Sequence, residues 1–580
     1  MIELFEVAGE SDRRLALTAT GILRTFNEAG VLTAADVHVA ARVGVLGGES
    51  DERVLLALAL ATRAVRHGSV CLDLATVADV APELPWPDHD AWASAVAASP
   101  LVAEGVLRWQ FDLLYLDRYW HQEVQVCHDL LARSRATPPA VDEARLDAGV
   151  MRVFAGPTYA EQRAAARAVV TQWTTILTGG PGTGKTTTVA GVLALLAEQA
   201  SLAGDTFRVA LTAPTGKAAA RLQEAVASVE LPQQDRDRLG PLEASTMHRL
   251  LGSRRDNGTR FRHHRANRLP HDVVVVDETS MVSLTMMARL VEAVRPDARL
   301  ILVGDPDQLA SVEAGAVLAD LVAGLGTAAP SPVVALETTH RFGEEIGRLA
   351  TALRSGDADA VMDVLRAGGS GVEFVESEDP APLLRAEILE AVLEVRACAD
   401  AGNAAGALAA LDRHRLLCAH RQGPHGVSHW NRQVEHWVTE ATGDPLYDEM
   451  YVGRPVLVTA NDYGLGLYNG DTGVVVRDAD GTLRAAIAGT SGILSFATSR
   501  MSDVETMHAM TIHKSQGSQA DQVTVLLPPE DSQLLTRELF YTAVTRAKEK
   551  VRVVGTEASV RAAVATRAQR ASGLRQRLGG

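Results

Sequence analysis

The octet GGPGTGKT, Gly179 to Thr186, constrains this chain more than any other stretch. It follows the aliphatic run TTILT and precedes TTTVAGVLALLAEQ, whose apolar spacing predicts a helix. Strand, GxxxxGK[ST] loop and helix, in that order, form a phosphate-binding signature. The glycines let backbone N–H groups surround an anion, and the helix N-terminus adds favourable partial charge. Gly179, Gly180, Pro181, Gly182, Thr183, Gly184 and Thr187 are therefore candidate nucleotide contacts. Lys185 is placed to reach the β- and γ-phosphates, and the Thr186 hydroxyl to bind Mg²⁺.

From Thr174 onward, short aliphatic runs alternate with helical patterns. TTILTG, RVALTAP, DVVVVDE and LILVGD read as strands of a buried parallel sheet, each ending in a polar turn. Ligands of such sheets bind at the carboxyl ends of the strands. VVVVDETSM delivers Asp277 and Glu278 to one such end, Asp277 as a second Mg²⁺ ligand and Glu278 to orient or deprotonate water. LILVGDPDQL delivers Gln308 to another, where its amide would face the γ-phosphate while Asp305 caps the turn through backbone N–H bonds.

Further stretches carry hydroxyl, imidazole and basic groups at helix starts. They supply Pro214, Thr215 and Lys217 in LTAPTGKAAARL, and Thr246 and His248 in ASTMHRLLG. MTIHKSQGSQADQV adds Thr511, His513, Lys514 and Ser515. Such groups contact phosphodiester oxygens without reading base sequence, although each alone is more often a helix cap. Arg341 in LETTHRF and Arg546 in LFYTAVTRAKEKV are candidates to carry a guanidinium from a second domain to the γ-phosphate. A structural ion pair is the plainer reading of either one alone.

Charge is unevenly spread. Residues 1–150 hold 12 Arg and no Lys against 22 acids, whereas residues 534–580 hold 10 basic residues against 3 acids. The acidic end suits a protein partner and the basic end an anion. Only five lysines occur, Lys185, Lys217, Lys514, Lys548 and Lys550, so each marks a position where a planar guanidinium fits poorly. Cys71, Cys127, Cys398 and Cys418 show no ligand spacing, which fits a reducing cytoplasm rather than a metal site. The first residues lack an export pattern, and no apolar run is long enough to span a membrane. Aromatics are 4% of the chain; Phe342, Tyr463, Tyr468 and Tyr541 are possible base-stacking residues, with core packing the commoner role.

In order, GGPGTGKT, LTAPTGKAAARL, STMHRLL, VVVVDETSM, VGDPDQL, THRF, HKSQGSQ and YTAVTRA resemble the helicase motifs of superfamily 1, in its 5′→3′ branch. GDPDQLASVEAGAVL, LLCAHRQGPHGVSHWNRQVE, GLYNGDTG and HKSQGSQ with TRELFYTAVTRA resemble the RecD family, alpha subunits of RecBCD (exonuclease V) complexes. VLTAADVHVA and HGSVCLDL extend a weaker similarity into the N-terminal part.

The resemblance implies an α/β fold with two RecA-like domains, ATP and Mg²⁺ between them and single-stranded DNA across their top. The expected division is 1–145 for a mostly helical domain that docks on a RecC-like partner, then 146–330 for the first RecA-like domain. The second takes 331–445 and 500–580, with an SH3-like β-barrel inserted at 446–499. Gln162 in TYAEQRAA takes the place of the adenine-reading Gln. The basic stretch 252–270 is either the family's strand-parting pin or a basic loop. The implied activity is ATP-dependent 5′→3′ translocation and unwinding with RecB-like and RecC-like subunits at duplex DNA ends, in double-strand-break repair. No nuclease constellation is visible in the chain. Two rivals are a free-standing helicase and a subunit whose ATPase has decayed; the complete set of Lys185, Asp277, Glu278, Gln308 and Arg546 argues against the second.

Overall fold

Fully buried parallel strands require aliphatic side chains on both faces, and the Val- and Leu-rich runs satisfy this in two separate sheets. The computed structural model describes residues 9, 12–204, 207–254, 257–338, 343–446, 448–462, 464–489 and 492–579.

The N-terminal part packs helices Gly21–Glu28, Ala34–Gly47 and Glu52–Arg66 around Phe26, Val37, Leu56 and Leu60. The third helix starts where the Asp51 carboxylate accepts the Arg53 N–H, a cap worth about 1 kcal/mol. This part is not helical alone. β1 (Cys71–Asp73), β2 (Leu107–Gln110) and β3 (Leu113–Leu116) form an antiparallel sheet in the order β1-β3-β2. Strands of three or four residues are too short to show alternation. Residues 136–142 form an irregular connection out of this part. The helix Asp117–Arg135 runs into it, and buried Arg133 donates to Thr174 Oγ1 and to the carbonyls of Trp173 and Arg295, each at 2.8 Å.

The first large sheet uses β4 (Thr174–Gly179), β5 (Val209–Ala213) and β6 (Ala244–Thr246). A small hairpin follows, β7 (Ser253–Arg254) with β8 (Asn257–Phe261), and then β9 (Val273–Val276), β10 (Arg299–Gly304) and β11 (Val333–Leu336) complete the sheet. The six sheet strands are parallel in the order β11-β4-β10-β9-β5-β6. The phosphate-binding loop, Asp277 and the Gln308 turn follow the three central strands β4, β9 and β10, so all lie at one end of the sheet. The basic stretch 252–270 therefore contains antiparallel pairing, Ser253 opposite Phe261 and Arg254 opposite Asn257.

The second large sheet begins with β12 (Val372–Glu376) and β13 (His414–Cys418). A block then intervenes: β14 (Pro455–Val458), β15 (Thr472–Arg477), β16 (Leu483–Gly489), β17 (Gly492–Ala497) and β18 (Val504–Thr506). It is antiparallel throughout, in the order β17-β16-β15-β14-β18, around a small core of its own. β19 (Ala509–Thr511), β20 (Ala520–Leu526) and β21 (Ala547–Gly555) close the parallel sheet as β12-β21-β20-β13-β19. The stretch ALAALDRHRLLCA divides between two states. Its helix ends at Arg413, and RLLC is buried in β13 between β20 and β19.

The end of the chain also departs from its expected place in the second domain. Leu574 and Leu578 of the helix Leu574–Gly579 pack beside Leu318, Leu321 and Leu325 of the first unit. Arg577 pairs with buried Glu123 at 3.1 Å, with its guanidinium 5.2–5.5 Å from the ring centroids of Phe111, Tyr115 and Trp120. A desolvated carboxylate needs such a partner, and this one draws the terminus onto the N-terminal part. No described helix is long and apolar enough to cross a membrane.

Candidate active site

The loop after β4 turns sharply because Gly182 and Gly184 adopt φ of 82° and 86°, a region that costs other residues about 1–2 kcal/mol. The helix Lys185–Ala203 starts at once. Lys185 Nζ donates to the carbonyls of Gly179 at 2.6 Å and Gly180 at 2.8 Å, and Thr183 Oγ1 donates to Gly180 O at 2.9 Å. Burial lowers the Lys185 pKa, opposed by Asp305, Glu278 and Asp277. Burial and the neighbouring Glu278 push Asp277 up to about 6. Glu278 has φ 49° and ψ 43°, a left-handed conformation that non-glycine residues keep only when the surroundings enforce it.

Around these groups lies a cavity of about 990 Å³. Of the predicted residues, Gln162, Pro181, Gly182, Gly184, Lys185, Thr186, Thr187, Asp277, Glu278, Gln308 and Arg546 face it. Gly179, Gly180 and Thr183 do not line it. Their carbonyls and the Thr183 hydroxyl are instead engaged in holding the loop and Lys185. Arg341, Phe342 and Tyr463 lie outside the described residues.

The cavity fits a nucleotide with its metal in two respects. Gln162 Nε2 donates to Thr183 O at 3.3 Å, while its buried Oε1 has no partner and is left to accept from a base. The Thr186 hydroxyl and the Asp277 carboxylate are hard oxygen donors on one wall, as Mg²⁺ requires.

The opposite wall comes from the second sheet. Buried Arg546 donates from Nη2 to Gln308 Oε1 at 2.9 Å, and from Nε to Thr542 O at 3.1 Å. Gln308 Nε2 donates to Asp305 Oδ2 at 3.1 Å, and the Asp307 N–H to Asp305 Oδ1 at 3.1 Å, the turn cap anticipated from the sequence. Leu309 is held from both sides, its N–H donating to Thr542 Oγ1 at 2.8 Å and its carbonyl accepting Gln516 Nε2 at 2.8 Å. The Gln308 turn is thus fastened to residues 200 or more positions later.

Several of these groups escaped sequence reasoning. Thr542, Gln516 and Gln519, which accepts from Arg221 at 2.7 Å, stand inside the motifs but carry no charge to mark them. Tyr541, considered for base stacking, is 1% exposed and donates its hydroxyl to Asp305 Oδ2 at 3.0 Å. Arg354 donates to the Tyr541 hydroxyl at 2.9 Å, from a stretch without any motif.

The predicted DNA residues divide. A Cβ on Gly517 would lie 3.4 Å from Ala218 Cβ and 3.7 Å from Thr215 Oγ1, so PTGK and KSQG abut across the two sheets. Thr215 and Thr246 act as helix caps, accepting the N–H groups of Ala218 and Arg249. Pro214 is partly buried beside the first; exposed His248 lies 5.9 Å from the Phe261 ring, on the hairpin side. Lys217 Nζ meets Thr472 Oγ1 at 3.4 Å against the inserted block, and burial with nearby Arg415 pushes it down to about 8. Ser515 is 1% exposed, with its hydroxyl donated to Ile512 O at 2.7 Å. Buried Thr511 caps the Lys514 N–H, the Lys514 ammonium pairs with Glu505 at 2.7 Å, and His513 is partly buried beside them. Tyr468 packs on Gly216, where an added Cβ would meet it at 2.9 Å.

Family comparisons agree with this layout. Residues 157–375 match an AAA domain, 506–554 a UvrD-like helicase C-terminal domain, and 28–146 the N-terminal domain of RecBCD enzyme subunit RecD. Subunit RecD of Mycolicibacterium smegmatis is 64% identical over 565 residues, covering 96% of this chain and 99% of the relative. The chain belongs to the RecD family. A Mycobacterium tuberculosis RecD is 62% identical, with 98% of each chain covered. The ATP-dependent RecD2 DNA helicase of Deinococcus radiodurans is 30% identical, covering 78% of this RecD-family chain and 56% of the relative.

Proposed function

We propose that this RecD-family chain is an ATP-dependent DNA helicase, the alpha subunit of a RecBCD-type complex with RecB-like and RecC-like partners. In this reading it moves 5′→3′ on single-stranded DNA, enters at duplex ends during double-strand-break repair, and works in the cytoplasm. The observation that carries it is the cavity whose walls come from both parallel sheets, Lys185, Asp277 and Glu278 from one and Arg546 from the other, with Gln308 between them.

Each residue has a separable task. The loop amides and Lys185 hold the polyphosphate of ATP, and Gln162 Oε1 accepts from the adenine amino group. Thr186 and Asp277 would hold Mg²⁺, which would supply neutralisation of phosphate charge. Glu278 orients the attacking water and accepts its proton as water adds to the γ-phosphorus and ADP leaves. Arg546, and by motif Arg341, would neutralise charge on the γ-phosphoryl oxygens, an effect worth roughly 10³–10⁵ in rate elsewhere. Because Arg546 belongs to the second sheet, phosphate state biases the fit of the two units. DNA held by the abutting PTGK and KSQG segments would sense that fit. Movement requires that the two fits differ in DNA affinity.

The acidic N-terminal part is the reading's docking surface for the RecC-like partner. Leu17, Val45 and Leu46 are 87%, 74% and 70% exposed there, as interface anchors on a free subunit would be. The hairpin at 253–261 takes the role of the pin.

The test is ATP turnover with and without single-stranded DNA, and unwinding of 5′- and 3′-tailed duplexes. Lys185→Gln should abolish DNA-stimulated turnover, and unchanged turnover would refute the nucleotide site. A strict 3′-tail requirement for this motor would overturn the polarity. Full processive unwinding by a lone monomer would favour the free-standing reading instead.

A further inference from the structure

Tyr541 and Arg354 stand apart from the groups that face the cavity, yet they touch two of its supports. Tyr541 lies on the helix Arg537–Val544 and Arg354 on the helix Glu344–Ser355, both from the second unit. The Tyr541 hydroxyl donates to Asp305 Oδ2 at 3.0 Å and accepts from Arg354 Nη2 at 2.9 Å. Arg354 Nε pairs with Asp307 Oδ2 at 3.1 Å, so the guanidinium grips the Gln308 turn directly as well as through the phenol. The same pair lies close beside the phosphate-binding loop, where only a glycine leaves room. A Cβ on Gly180 would lie 2.7 Å from Arg354 Nη2 and 3.2 Å from the Tyr541 hydroxyl.

The consequence falls on Gln308. Asp305 Oδ2 accepts from both Tyr541 and Gln308 Nε2, and a carboxylate can only accept. The amide nitrogen of Gln308 is therefore turned to Asp305, which leaves its oxygen for Arg546, a group that can only donate. The chemistry of the partners fixes the amide without ambiguity. Gly180 O meanwhile accepts from Lys185 Nζ, so the position of Gly180 bears on Lys185.

We propose that Tyr541 and Arg354 form an interdomain strut of positioning residues for ATP turnover, setting the Gln308 amide and the loop at Gly180 when the two units meet. The inference rests on the ATPase reading above. Arg354 does not line the cavity, so the strut acts through Asp305, Asp307 and Gly180 rather than on the phosphates.

The experiment uses the full chain with a single-stranded oligo-dT, reading kcat and KM for ATP at saturating DNA. Tyr541→Phe keeps the ring and removes the hydroxyl; Arg354→Gln removes the charge at a side chain that is 39% exposed and tolerant of change. Each should lower kcat roughly tenfold with KM for ATP moving less than about twofold, the mark of a contribution made in the transition state. The double variant should be no worse than the poorer single one, because both remove one device. Unchanged kcat in either variant overturns the strut. So does a fall in kcat matched by a rise in KM, or a double variant in which the two losses multiply. Should Tyr541→Phe fail to fold by thermal melting, Arg354→Gln decides alone by the same kcat and KM criterion. An unmodified chain lacking DNA-stimulated turnover would defeat the ATPase reading itself, a result distinct from any of these.

Discussion

At the scale of single residues, Gln308 is both a turn residue and part of the cavity wall. Its carbonyl oxygen meets Arg546 and its amide nitrogen meets Asp305, so each end of the side chain reports on a different unit. Gln308→Ala breaks that link while leaving the phosphate-binding loop intact. Unwinding should fall by about tenfold or more while nucleotide affinity, read by a fluorescent ADP analogue, changes less than about twofold. Equal losses in both would make Gln308 an ordinary part of the pocket. Glu278→Gln keeps the shape of the strand end and removes the carboxylate proposed as the base. Turnover should drop roughly 10²–10⁴-fold with binding retained. The residues nameable from sequence were those whose chemistry is local, such as Lys185 in its loop or Asp277 after four valines. Arg354 had no local mark, because its partners Asp307 and Tyr541 are fixed only by tertiary packing.

At the scale of elements, the strands of the first sheet were legible because burial on both faces demands uninterrupted aliphatic runs. β13 carries no such mark, because RLLC directly follows a helix with no Gly or Pro between them and so short a run suits either state. The short N-terminal strands offered too few residues for any period. The phosphate-binding loop depends on backbone rather than side chain at Gly184. A methyl there meets Gln162 Nε2 at 3.2 Å and is strained at φ +86°. Gly184→Ala should cost about 1–2 kcal/mol locally and weaken ATP binding, measured by titration; undiminished affinity would show that the loop tolerates another conformation.

At the scale of the whole molecule, the C-terminal helix meets the N-terminal part through a buried ion pair. Arg577 and Glu123 are 7% and 0% exposed in their side chains, and removing one charge strands the other. Arg577→Ala should destabilise the N-terminal part by about 3–5 kcal/mol, seen as an early unfolding step in denaturant. Leu46→Glu, by contrast, changes only exposed surface. It should weaken assembly with a RecC-like partner in co-purification while leaving DNA-stimulated ATP turnover near that of the unaltered chain. Undiminished assembly would move the docking surface elsewhere.

The return of the C-terminal helix to the first unit has a mechanical meaning. The backbone leaves that unit after β11 and comes back after the helix Glu557–Ala565, so the second sheet and its inserted block hang from two covalent straps. A body on one strap can swing in any direction. A body on two can only turn about the line that joins them, as a door turns on paired hinges. The stroke that ATP drives would then have its axis set by the path of the chain, and cutting either strap should leave the chemistry but scatter its direction.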